Sequence, residues 1–142
     1  MKKTIPETAA GIFVQVWRCA LRYFLAVFAA GFALGALRVM LVAPHLGALA
    51  SVALELPAML AVSWLVAGAI LRREPVVSAS PAARLCMGII AFGLLMLAEA
   101  LLARQLSGRS LAEFLRGLAT SAGALGLAGQ IGFALVPWLR RR

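Results

Sequence analysis

Residues 37–55, LRVMLVAPHLGALASVALE, decide the fold because they join two long apolar runs through a short turn. Pro44 and Gly47 are helix-breaking residues, so the two runs are predicted to form an antiparallel helical hairpin. Each run carries one charge close to the turn, Arg38 before it and Glu55 after it. Because a charge inside a membrane span is costly, such a residue usually faces a partner or a water-filled cavity. Both residues are therefore candidates for a functional site.

The composition of the whole chain is that of an integral membrane protein. Of its 142 residues, 63% are hydrophobic, and the mean hydropathy is +0.98, whereas a soluble domain has roughly 45–50% apolar residues. A helix needs about 20 apolar residues to cross the hydrocarbon core of a bilayer. Four runs are close to that length, near residues 23–43, 48–71, 85–103 and 119–138. We therefore predict an all-α integral membrane protein in which one domain forms a four-transmembrane-helix bundle.

Two short amphipathic helices are predicted at the membrane surface. A capping-box pattern that begins at Thr4 predicts an interfacial helix over about 5–20. Ser110 and Glu113 repeat the pattern before an apolar stripe, which predicts a second surface helix over about 110–118.

The net charge of +9 follows the pattern of a membrane protein and not that of a nucleic-acid-binding face. Ten of the fourteen Lys and Arg residues fall on one side of the predicted spans and three on the other. Cytoplasmic loops are enriched in Lys and Arg, so both termini are predicted to be cytoplasmic in a bacterial inner membrane. The expected partner is the lipid bilayer, and nucleic acid is not expected.

A third charge, Glu99, lies near the far end of the third apolar run. With a rise of 1.5 Å per residue, Arg38, Glu55 and Glu99 all lie about 8–10 Å below the same membrane surface. Antiparallel neighbours would let them converge, and we expect Arg38 to contact at least one glutamate. The candidate site for a ligand or proton consists of these residues and two polar neighbours, Ser51 and Gln130.

Two functions are consistent with this cluster. A carboxylate paired with Arg38 stays ionised, while a second carboxyl without a full partner would bind a proton or a cation. The first hypothesis is therefore a small transporter or channel component. The alternative is a non-catalytic accessory or scaffold subunit of a membrane complex, in which the cluster is a structural clasp.

The sequence contains no motif that favours catalysis or metal binding. There is no Asp, no Ser-His or Cys-His arrangement and no phosphate-binding loop, which argues against an enzyme. His45 is the only histidine, and Cys19 and Cys86 lack the spacing of metal ligands. We expect neither a metal nor another cofactor.

Small residues predict the packing faces of the helices. Gly31 and Gly35 form a G-x-x-x-G pair in the first run, and Gly126 and Gly129 lie on a small-residue face of the last run. These faces offer more close-packing surface than one small bundle uses. We therefore expect a homo-oligomer or a subunit of a larger membrane complex.

Overall fold

The computed structural model describes residues 8–141, and this part of the chain is helical with no β-strand. The elements in chain order are α1 (Ala9–Leu37), a π-helical turn (Arg38–Val42), α2 (Ala43–Arg73), α3 (Pro75–Ala79), α4 (Pro81–Ser107), α5 (Leu111–Leu118) and α6 (Ser121–Leu139).

The chain reverses direction at Gly47, near the start of α2. Gly47 has a φ of 79° and a ψ of 171°, a backbone conformation that glycine adopts because it has no Cβ. The two arms then pack against each other, and a Cβ on Gly31 would lie 3.1 Å from Cε of Met59. The hairpin predicted from residues 37–55 is present.

Three stretches of the described chain are long and apolar enough to cross a membrane: Ala9–Arg73, Pro81–Ser107 and Ser121–Leu139. The first is 65 residues long and contains the reversal at Gly47. The structure thus supports three candidate spans where the sequence predicts four, because both arms of the hairpin belong to one helical stretch.

The first helix begins later than predicted and is not divided. The Thr8 hydroxyl oxygen caps α1 by accepting a hydrogen bond from the Gly11 backbone N–H at 3.3 Å. The cap predicted at Thr4 lies outside the described residues. No break separates the predicted interfacial helix over 5–20 from the predicted span over 23–43, because the first half of α1 also buries side chains against other helices.

The second surface helix begins with the predicted capping box. The Ser110 hydroxyl oxygen accepts from the Glu113 backbone N–H at 3.2 Å, and the Glu113 carboxylate accepts from the Ser110 backbone N–H at 3.0 Å. The capping box is confirmed, and α5 agrees closely with the predicted range of 110–118. No residue of α5 is buried, so this helix lies on the surface of the described structure.

The long helices pack in a ring in the order α1, α2, α6, α4. We call the end where α6 finishes the Arg140 end and the opposite end, where the hairpin reverses, the Gly47 end. The buried apolar core consists of Val16, Cys19, Ala20, Tyr23, Phe24, Val27, Ala67, Leu71, Val77, Ala83, Met87, Ala91, Phe133 and Val136. These residues place the core toward the Arg140 end, where the helices pack most closely.

Tyr23 links α1 to α6 through the core. Its ring stacks on Phe133 with the ring centroids 4.5 Å apart, and its hydroxyl donates to the Phe133 carbonyl oxygen at 2.7 Å. Pro137, four residues after Phe133, has no N–H and cannot supply the helical donor for that carbonyl. The Tyr23 hydroxyl therefore satisfies a carbonyl that the proline leaves without its usual partner.

Helices α4 and α6 approach each other very closely at Gly88. A Cβ on Gly88 would lie 1.8 Å from the Ala134 carbonyl oxygen, so a residue with a side chain does not fit there unless the helices move. The sequence alone does not single out Gly88, because glycines are common in membrane helices.

Candidate functional site

A cavity of about 550 Å³ lies between the long helices, at the centre of the ring. Residues of α1, α2, α4 and α6 all contribute to its wall, which is mostly apolar. Its ionisable and amide side chains are those of Arg38, Glu55, Glu99 and Gln130. Four of the five residues predicted for the ligand or proton site therefore line one cavity.

The two ends of this cavity differ in burial. Val27, Ser63 and Phe133 line it on the side of the core, and all three are buried. Val39 and Leu106, which line it toward the Gly47 end, are 60% and 74% exposed. The cavity is therefore closed by the core at the Arg140 end and open toward the Gly47 end.

Arg38 and Glu55 form an ion pair between the two arms of the hairpin. Nε of Arg38 donates to Oε2 of Glu55 at 2.5 Å, and the two side chains are 30% and 18% exposed. Arg38 is the first residue of the π-helical turn, a local irregularity that is frequent at functional sites. The predicted contact between Arg38 and a glutamate is present, so Glu55 has a cationic counter-ion.

Glu99 has a neutral partner. Nε2 of Gln130 donates to both carboxylate oxygens of Glu99 at 2.7 Å. The ion pairs within residues 8–141 involve Glu55 and Glu74, so Glu99 has no Lys or Arg partner in the described structure. Oε1 of Gln130 is buried and accepts no hydrogen bond. An amide can donate hydrogen bonds to a carboxylate, but it does not neutralise its charge.

The two polar pairs lie at similar heights in the cavity. Gly129, which precedes Gln130, packs against Leu56, which follows Glu55: a Cβ on Gly129 would lie 2.5 Å from Cδ1 of Leu56. Because each residue adds 1.5 Å of rise, Gln130 and Glu55 lie within about one helical turn of the same level. The structure thus brings Glu55 and Glu99 into one cavity, each with a different partner.

Ser51, the remaining candidate residue, lies at the turn and not in the cavity wall. It is buried, and its hydroxyl donates to the carbonyl oxygens of Gly47 at 2.6 Å and Ala48 at 3.0 Å. These bonds stabilise the backbone around the reversal. His45 is exposed in the same turn.

The glycines predicted to pack have different surroundings. Gly31 and Gly129 both face α2 of the same chain. Gly35 lies beside the Arg38 side chain, and Gly126 lines the cavity, where an added Cβ would have no neighbour within 4 Å. Because Gly31 and Gly129 pack within the chain, they do not supply the intermolecular surface from which an oligomer was expected.

Sequence reasoning did not assign Ser63 and Phe133 to the site. Ser63 donates its hydroxyl to the Met59 carbonyl oxygen at 2.8 Å and lines the cavity beside the core. Phe133 lines the same part of the cavity from α6. Phe133 lies three residues after Gln130 and therefore on the same helix face. This spacing is the sequence signal that could have indicated Phe133 as a residue of the site.

Among residues 8–141, no group of three His, Cys, Asp or Glu side chains is placed to hold a metal ion. Comparison with models of known protein families, with curated proteins and with solved structures finds no match to this chain. The cavity and its four ionisable and amide side chains are therefore the features on which a functional proposal rests.

Proposed function

We propose that the chain is a bacterial inner-membrane protein in which α1, α2, α4 and α6 each cross the bilayer once. The reversal at Gly47 supports this topology, because a span needs about 20 residues and each arm of the hairpin is longer than that. Large apolar side chains on the outward faces of these helices are more than half exposed; examples are Leu25, Leu65, Ile89 and Leu97. The excess of Lys and Arg at the Arg140 end supports a cytoplasmic location for that end and for both termini.

We infer that this protein is a small transporter or channel component whose cavity binds a proton or a cation at Glu99. One observation carries the proposal: Glu99 lines a largely apolar cavity and has Gln130 as its hydrogen-bond partner instead of a cation. An ionised carboxylate in such surroundings is costly without a counter-ion. Binding a proton or a cation removes that cost, so occupation of Glu99 is favourable.

Arg38 has a different role in this proposal. An arginine guanidinium remains protonated in proteins, and it stabilises the ionised form of a nearby carboxylate. The Arg38–Glu55 pair is therefore neutral as a whole, although both of its members are charged. This pair leaves Glu99 as the carboxyl whose charge changes when the cavity is occupied.

A structural clasp in an accessory or scaffold subunit is the second candidate function. It is favoured by the connections that the two pairs make: Arg38 and Glu55 join the arms of the hairpin, and Glu99 and Gln130 join α4 to α6. In that function the hydrogen bonds fix the positions of the helices, and the cavity exchanges no proton or ion.

Proton release by the purified protein in detergent distinguishes the two functions. We expect wild type to release about one proton more than Glu99→Gln between about pH 5 and 9, because the amide keeps the shape of the side chain but does not titrate. Glu55→Gln, which removes the carboxylate paired with Arg38, tests whether the release comes from Glu99 alone. Glu74→Gln, which removes an exposed ion pair with Arg22 outside the cavity, is the matched control.

The result that contradicts proton binding is equal release by wild type and Glu99→Gln over this range. If Glu99→Gln also loses its helical circular dichroism at a lower temperature than Glu74→Gln, the clasp is preferred. For the cation alternative, sodium and tetramethylammonium are titrated at the alkaline end of the range. Isothermal titration calorimetry serves as the readout, and Glu99→Gln should abolish the heat of binding.

A further inference from the structure

A second pocket, of about 510 Å³, lies at the Arg140 end, where α3, α4 and the end of α6 meet. Its wall includes Pro81 at the start of α4, Arg84 one turn later, and Trp138 and Arg141 from the end of the chain. Two arginines therefore line one pocket that is separate from the central cavity.

Arg84 is held in place but retains unused donors. Its Nη1 donates to the Ser78 carbonyl oxygen, and its Nε is buried without a hydrogen-bond partner. A guanidinium carries five N–H donors in a fixed plane, which suits the oxygens of a phosphate group. The buried N–H indicates an acceptor that the protein itself does not provide.

Among the described residues, no carboxylate forms an ion pair with an arginine of this pocket. The ion pairs in the described part of the chain are Arg22–Glu74 and Arg38–Glu55, so neither Arg84 nor Arg141 takes part in one. The neighbouring Arg140 lies over the Trp64 ring, 4.8 Å from its centroid, and adds to the positive charge at this end. The N-terminus of α4 contributes a partial positive charge of the same sign.

The apolar part of the pocket wall identifies the kind of anion. Trp138 and Leu139 are 44% and 52% exposed, and tryptophan is enriched at the level of lipid headgroups. Basic pockets between helices on the cytoplasmic side of membrane proteins bind anionic lipid headgroups. A soluble phosphate would use the guanidinium groups but not the apolar wall.

The geometry points to a binding site for the phosphate group of an anionic phospholipid, with Arg84 and Arg141 as its ligands and Trp138 beside the upper part of the acyl chains. This inference rests on the membrane topology proposed above, but it does not depend on the proton or cation chemistry of Glu99. The site would bind a phosphatidylglycerol molecule at the cytoplasmic boundary and anchor the junction of α3, α4 and α6.

The test is native mass spectrometry of the full chain in detergent, titrated with phosphatidylglycerol or phosphatidylcholine of the same acyl chains. We expect phosphatidylglycerol to bind more tightly, and Arg84→Gln and Arg141→Gln each to lower its affinity about fivefold. Arg109→Gln and Arg116→Gln remove the same charge at the Gly47 end and should leave the affinity unchanged.

Arg84→Lys retains the positive charge without the guanidinium plane and should recover only part of the affinity that Arg84→Gln loses, and helical circular dichroism equal to that of wild type shows that both variants are folded. An equal loss in all four Gln variants would mean non-specific attraction to the net charge, and it would overturn the site. Displacement of the lipid by millimolar inorganic phosphate would overturn the assignment to a lipid. Binding of phosphatidylglycerol in Glu99→Gln should be normal, so failure of the proton proposal and failure of this one are distinguishable.

Discussion

The close approach of α4 and α6 at Gly88 makes a stability prediction that the structure quantifies. In Gly88→Ala, the new Cβ would lie 1.8 Å from the Ala134 carbonyl oxygen and 2.9 Å from its carbonyl carbon. These are backbone atoms of a helix, so relief requires the two helices to separate by more than 1 Å. Overpacking of this kind costs about 1–3 kcal/mol, and Met87 and Ala91 beside it would lose part of their burial.

Gly93→Ala is the matched control on the same helix. A Cβ there would meet no atom within 4 Å, and alanine is favoured over glycine in a helix by about 1 kcal/mol. The two variants make the same chemical change and should have opposite effects on the free energy of unfolding. The propensity gain is common to both variants and cancels, so their difference should be the overpacking cost of about 1–3 kcal/mol.

The assay is reversible unfolding of the purified protein with increasing sodium dodecyl sulfate, followed by helical circular dichroism. Gly88→Ala should unfold at a lower detergent fraction than wild type, and Gly93→Ala at the same or a higher one. Equal midpoints for the two variants would refute the reasoning, because α4 and α6 would then not be in backbone contact at Gly88.

Two further predictions follow from the fold. Tyr23→Phe should destabilise the protein by about 1–3 kcal/mol because it leaves a buried carbonyl oxygen unsatisfied. In the Pro137→Ala background the cost should be smaller, since the restored backbone N–H can bond that carbonyl, and an equal cost in both backgrounds would show that the hydroxyl does not compensate for the proline. For the topology, single cysteines are introduced after both native cysteines are replaced by alanine. His45→Cys and Arg109→Cys should react with a membrane-impermeant maleimide from outside the cell, while Ala79→Cys, which is also exposed, should react only after permeabilisation; the reverse pattern would exclude the proposed orientation.

The hairpin and the ion pair could be predicted because both depend on strong local signals. Pro44 and Gly47 break the helix in a turn so short that the two helices it joins must lie side by side. An unpaired Arg38 in an apolar run would be costly, so a nearby acid is expected. The sequence predicts contact with Glu55 or Glu99 without choosing between them, and the structure pairs Arg38 with Glu55. Residues 37–55 alone are therefore enough to predict the hairpin and an acidic partner for Arg38.

The partner of Glu99 could not be predicted with the same certainty. Gln130 was among the candidate residues, but its contact with Glu99 depends on the lateral order of the helices, which places α6 between α2 and α4. Hydropathy and charge give the depth of a residue and not the identity of the neighbouring helix. The same limitation explains why Gly88 was missed, since its importance comes from Ala134 on another helix.

Under the proposed transport function, the division between the core and the cavity has a consequence. A ligand that moves from Glu99 toward the Arg140 end meets the buried core, in which Tyr23 stacks on Phe133. Passage through the protein requires these stacked rings to part and the Tyr23 hydroxyl to leave the Phe133 carbonyl. Reversible binding from one side requires neither separation of the rings nor loss of that hydrogen bond. The barrier to crossing in this proposal is the buried core, of which the two rings are one part, and its opening rate separates a conduit from a receptor that binds and releases on the same face of the membrane.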